Sequence, residues 1–179
     1  MSDEIRTIFD ESVEIFFDRE GDNIRNTISE QNLCGRLAIY ITDKLKKYSK
    51  DEYFADTEYN RKQNGEVKTI IDDEMKVTTI KSDLIVHTRG NLVENDNLIT
   101  IEMKKSSRPD AEKLADRIRL KAMTMASYDG VWSANGIAHP KHVCGYKLGA
   151  YIIIDIKDRS YLVEYYKTGV QIDEATGNF

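Results

Sequence analysis

Two runs of β-branched and apolar residues, Ile80–Thr88 and Leu98–Lys105, are separated by a stretch of Gly, Asn, Asp and Arg, and they restrict this chain more than any other feature. Strand, polar turn, strand is the pattern of a β-hairpin with a longish loop. Side chains alternate along a strand, so Thr100, Glu102 and Lys104 share one face while Ile99, Ile101 and Met103 share the other. In the first run Leu84 and Val86 are the apolar pair, and Asp83 shares its face with Ile85 and His87. If the hairpin folds back symmetrically about Leu92 and Val93, Asp83 falls directly opposite Glu102, with Cβ atoms about 4.5–5.5 Å apart. Carboxylates that close repel, so a cation is expected between them. Lys104, two residues on and on the same face, is one candidate and a divalent metal is the other. Magnesium is a hard ion that takes one or two carboxylates and keeps several waters, which suits such a pair.

Asp83 followed by Glu102-Met103-Lys104 on the next strand resembles the PD-(D/E)XK nuclease superfamily, with Ser82 where the name-giving proline would stand. The order of elements over roughly Glu30 to Lys121 agrees with that resemblance. It implies a restriction-endonuclease-like αβββαβ core: an α/β fold with a central mixed β-sheet flanked by helices, here extended by an N-terminal helix and a C-terminal hairpin. It also implies a Mg2+-dependent endonuclease, with Mn2+ as substitute, that cleaves DNA by metal-activated water. Asp83 and Glu102 would then hold one or two metal ions, with the backbone carbonyl of Met103 as a further ligand. Lys104 would orient the water and offset charge on the phosphate. In the resembled enzymes the helix before the sheet often adds a carboxylate, and Glu30 matches by order and by face. Taken alone, Glu30 is an acid placed where a helix dipole favours one. Restriction, phage defence and repair are roles that follow from analogy of fold.

The 179 residues fit one domain, 1–179, divided into an N-terminal helix (1–20), a core (26–166) and a polar tail (167–179). No apolar run is long enough to cross a membrane, and MSDEIRTIFD lacks the basic start and apolar block of a signal peptide. Cys34 and Cys144 give no disulfide framework, so a reduced, cytoplasmic protein is expected. The net charge of −5 argues against a protein that coats nucleic acid, but not against an enzyme with a local basic surface.

Ile5, Ile8, Phe9, Ser12, Val13, Phe16 and Phe17 recur at helical spacing behind Ser2, Asp3 and Glu4. That stripe predicts a helix packed on the domain; the sharper alternative is a homodimer contact or a dock for a partner protein. The polar run Asp18–Asn23 is expected to end it. A second helix should start near Thr27 or Ser29 and reach about Tyr48. Tyr53–Arg61 alternates as a strand, with Asp56 and Glu58 as candidate extra acids. Lys62–Gly65 reads as a turn, Val67–Ile71 and a run from Val77 as further strands around Asp72-Asp73-Glu74.

Beyond the hairpin, Pro109 or Asp110 opens a helix to about Met125, with Leu114, Ile118, Ala122 and Met125 as its expected buried side. From Lys104 to Lys121 seven basic residues stand against three acidic ones, and this surplus beside the acids could hold phosphates. Lys105, Arg119 and Lys121 are the expected nucleic-acid contacts; a solvated helix face is the alternative. Ser127–His142, with Trp132, reads as a loop over the substrate. His139, His142 and Cys144 lack a partnering pair for a zinc site. Cys144–Lys157 and Ser160–Tyr166 form a strongly apolar hairpin. Two further readings stay open: a non-catalytic nucleic-acid or protein-binding module on a nuclease-like fold, and an unrelated α/β protein in which Asp83 and Lys104 form only a structural ion pair.

Overall fold

The computed structural model describes residues 2–59, 69–71, 77–79, 82–92, 95–126 and 144–179. Apolar periodicity builds its helices. The expected stripe of α1 (Ser2–Arg25) is buried to the last residue, from Ile5 to Phe17, against α2 (Glu30–Lys47) and the sheet. The stripe is thus packed within the chain's own core. The helix does not stop at the polar run 18–23. Glu20 is buried there and accepts hydrogen bonds from Asn23, Arg36 (2.8 Å) and Tyr40 (2.5 Å), while Ile24 enters the core. A polar stretch whose charge finds a partner on the next helix need not end a helix. Ser29 then caps α2 by accepting from the Asn32 amide.

The main sheet has six strands in the order β1 (Phe54–Thr57), β4 (Leu84–His87), β5 (Asn97–Lys105), β6 (Leu148–Asp155), β7 (Ser160–Lys167) and β8 (Val170–Asn178). Only β5 and β6 are parallel, joined through α3 (Asp110–Thr124); all other neighbours are antiparallel. β2 (Thr69–Ile71) and β3 (Val77–Thr79) form a separate two-stranded ribbon. Helices α1 and α2 cover one face of the sheet over Leu84, Val86, Ile99, Ile101, Met103 and Ile152, and α3 covers the other over Ile85, Tyr151 and Tyr166. The result is an α/β protein of three layers with a mixed sheet between them. No helix among the described residues is long and apolar enough to cross a membrane.

Two expectations are corrected. Residues 167–179 are not a loose tail: β8 pairs with β7 along its length. The turn between them is the dipeptide Thr168-Gly169, both at positive φ (49° and 82°), which is what a two-residue hairpin of matching twist requires. The buried side of α3 is only partly as expected, with Ala122 buried. Leu114 and Ile118 are 58% and 36% exposed, while Asp116, Leu120 and Met123 face the sheet. On this face Asp116 lies 3.5 Å from Lys104 of β5, a contact that an apolar count does not register. Close approach of α3 depends on Gly149 in β6, where a Cβ would lie 2.8 Å from Thr124 Cγ2.

Candidate functional site

The predicted register holds from Leu84 to Val86, which pair in turn with Ile101, Thr100 and Ile99, and shifts beyond a bulge at Val86/His87, where His87 faces Asn97 instead of Leu98. One step further along that register, Asp83 comes opposite Glu102. β4 begins there, and β5 runs on as far as Lys105 with only β6 as its ladder partner. Its bare edge is closed by acids. The Met103 amide donates to Asp83 Oδ2 at 2.9 Å, and the Lys105 amide donates to Glu30 Oε1 at 2.9 Å. These two amides lie about 6.6 Å apart along the strand. The N–H and C=O of one strand residue point to the same side, so the Met103 carbonyl also faces the Asp83 edge.

On the α3 face, Glu102 is fully buried. Its Oε1 accepts from Arg119 Nε at 2.7 Å, and its Oε2 accepts no hydrogen bond from the described residues. Burial, with the charge of Asp83 added, pushes the Glu102 carboxyl up to about 8 against the opposing pull of Arg119. Arg119 also reaches Asp116 Oδ1, one helical turn earlier. Asp116 Oδ2 accepts from the Tyr151 hydroxyl at 3.3 Å and lies 3.5 Å from Lys104 Nζ. Burial raises the Asp116 carboxyl as well, against Arg119 and Lys104. Burial works against the Lys104 charge, but Asp83, Asp116, Glu30 and Glu102 outweigh it and hold its pKa above the ordinary value. A continuous chain results: Lys104, Asp116, Arg119, Glu102.

Asp83, Glu102 and Lys104 are therefore brought together as expected. Glu30 lies close enough to Lys104 for their charges to interact, but no contact joins it to Asp83 or Glu102 among the described residues. It stands further along the same edge in a two-pronged pair with Arg108 (3.2 and 3.1 Å), and Arg108 with the Lys105 amide outweighs burial and lowers its pKa. Among the described residues, no three His, Cys, Asp or Glu side chains converge as a metal-binding group. Arg119, expected on phosphate, is instead committed to two buried carboxylates. Lys105 Nζ donates to the Thr27 carbonyl at 3.1 Å, which ties it to the start of α2. Lys121 is half-buried and has no ion-pair partner among the described residues. Asp56 and Glu58 do not join the site: Asp56 pairs with Arg89 (2.6 Å) and His87 (3.1 Å), and Glu58 accepts from Gln31. Trp132, His139 and His142 lie outside the described residues, as do residues 60–68, 72–76 and Val93; Cys144 is buried and forms no disulfide.

Asp116, Arg108 and Tyr151 are the residues that sequence reading missed. Asp116 carried a signal: it precedes Arg119, Leu120 and Met123 by three, four and seven residues, so all four share a helix face. Comparison of the chain with models of known protein families, with curated proteins and with solved structures found no match.

Proposed function

We propose that this chain is a Mg2+-dependent nuclease of the PD-(D/E)XK type that cleaves DNA. The observation that carries the reading is the β4–β5 register, which sets Asp83 across from Glu102 with Lys104 on the same face, together with the buried Glu102 Oε2 that no hydrogen bond satisfies among the described residues. A buried polar atom without a partner is costly and is normally matched by something. The chain order α2, β1, β4, β5, α3, β6, with β5 and β6 parallel, supports an αβββαβ core with β2 and β3 inserted.

The donor set fits magnesium: Glu102 Oε2, the Asp83 carboxylate and the Met103 carbonyl are hard oxygens, and two carboxylates with water in the remaining positions are typical for this ion. With Glu30 held by Arg108, the set suits one ion better than two. Magnesium held there would polarise the scissile phosphate and acidify a bound water. Lys104 stays charged among four carboxylates and would steady the phosphate and the attacking water. Lys121 offers a cation to the DNA backbone on the outer side of α3.

One observation favours a second reading, a non-catalytic binding module: Glu102 and Glu30 already have counter-charges in Arg119 and Arg108. Cleavage of plasmid and short single- and double-stranded DNA by wild type and Lys104→Ala, in Mg2+, Mn2+ or EDTA, decides between them. Metal-dependent cutting lost in a folded Lys104→Ala protein supports the nuclease. Equal cutting by both proteins removes this site from the chemistry. DNA binding that persists in EDTA, with no cutting in either metal, supports the module.

A further inference from the structure

Asp116 and Arg119 have no role in the reading above, yet they are the groups most tightly built into the site. Glu102 has two oxygens in different situations: Oε1 is held by Arg119 Nε at 2.7 Å, and Oε2 is buried without a hydrogen bond among the described residues. A carboxylate bonded in this way cannot rotate to exchange its oxygens without breaking a charge-assisted hydrogen bond. The Arg119 guanidinium is itself held, by Asp116 Oδ1, and Asp116 is held on its other oxygen by the Tyr151 hydroxyl at 3.3 Å. Asp116 Oδ2 also lies 3.5 Å from Lys104 Nζ. One buried carboxylate thus connects the arginine that orients Glu102 to the lysine beside it.

We propose that Asp116 and Arg119 are positioning residues for this site: Arg119 presents Glu102 with Oε2 free for the metal, and Asp116 holds Arg119 and Lys104 in mutual register. The inference rests on the nuclease reading. In it, Arg119 stays on Oε1 when the metal binds Oε2, and Asp116 touches neither metal nor substrate. Partners one bond removed from a metal ligand set its orientation, and losing one typically weakens metal affinity or activity about 10–100-fold.

The test is a double-mutant cycle on Asp116→Asn and Arg119→Gln, read by Mn2+ titration calorimetry and by DNA cleavage. Thermal melts establish that each protein is folded, and Arg119→Lys serves as the variant that retains charge but loses the fork. Each single substitution is expected to weaken Mn2+ binding about 10–100-fold. Because the two residues act through one contact, the double variant should lose no more than the worse single one, and Arg119→Lys should recover only part of the affinity. Losses that multiply would mean that each residue acts by charge at a distance, and would overturn the proposal. So would folded single variants that bind Mn2+ as wild type does, which would leave the nuclease reading standing. Wild-type protein that neither binds Mn2+ nor cuts would overturn the nuclease reading and this inference with it.

Discussion

Glu102 couples the stability of this protein to pH. Its carboxyl ionises at about 8 in the folded chain instead of near 4.5, chiefly through burial and then through Asp83. The folded state therefore holds a proton that the unfolded chain has released, and stability falls as pH rises from about 4.5 to about 8. Asp116, also raised, acts in the same direction, while Arg119 and Lys104 remain charged throughout. Glu102→Gln keeps the shape and removes the charge. In EDTA, it should raise Tm by several degrees at pH 8 and change little at pH 5, and melts at the two pH values check this. A drop in Tm at pH 8 would show that the Arg119 contact outweighs burial. Magnesium should stabilise wild type at pH 8 and leave Glu102→Gln nearly unaffected, since a ligand that binds only the folded state shifts the equilibrium by mass action.

At the scale of the element, α3 is positioned by buried polar contacts as much as by apolar ones. Arg117 grips Glu164 of β7 through both prongs, at 2.6 to 3.2 Å, and Tyr166 donates to the same carboxylate at 2.6 Å. Arg117→Ala leaves Glu164 buried with its charge unpaired and should cost about 3 kcal/mol, the low end for a buried pair because Arg117 is 31% exposed. Urea melts of Arg117→Ala with and without Glu164→Leu measure this, and the double variant should recover part of the loss. The orientation of α3 is tested separately. Leu120→Ala should cost about 2–4 kcal/mol, whereas Leu114→Gln should stay within about 0.5 kcal/mol. Equal costs would return Leu114 to the core and contradict the observed face.

Across the whole molecule, the last strand closes the fold upon the first helix. Arg6 in α1 pairs with Asp173 in β8 at 3.1 Å, and Phe179 stacks on Phe17 with ring centroids 5.6 Å apart. Removing residues 170–179 bares the edge of β7 and one side of Phe17, so Tm should fall sharply and aggregation should increase, as read by differential scanning fluorimetry and light scattering. A chain that melts unchanged after truncation would show β8 to be an appendage. On the other face, Gly149→Ala should push α3 away from β6, because its Cβ would meet Thr124 Cγ2 at 2.8 Å and Tyr166 Cβ at 3.1 Å. Loss of Mn2+ binding together with stability in that variant would trace the site's geometry to the seating of α3.

Local pattern alone determined the β4–β5 register from Leu84 to Val86, the faces of Asp83, Glu102 and Lys104, a start of α2 near Thr27 or Ser29 and the β6–β7 hairpin. Each of these depends on alternation, helical spacing or turn chemistry within one short stretch, and those are properties of neighbouring residues. The continuation of α1 through Glu20, the pairing of β8, the rotation of α3 toward Asp116 and the commitment of Arg119 to Glu102 were decided only in the folded chain. In every one of these, a charge or a strand edge finds its partner on a distant element: Arg36 and Tyr40 for Glu20, β7 for β8, Lys104 for Asp116, Glu102 for Arg119. A buried charge takes its energy from the partner that neutralises it, and that partner is fixed by packing and not by spacing along the sequence.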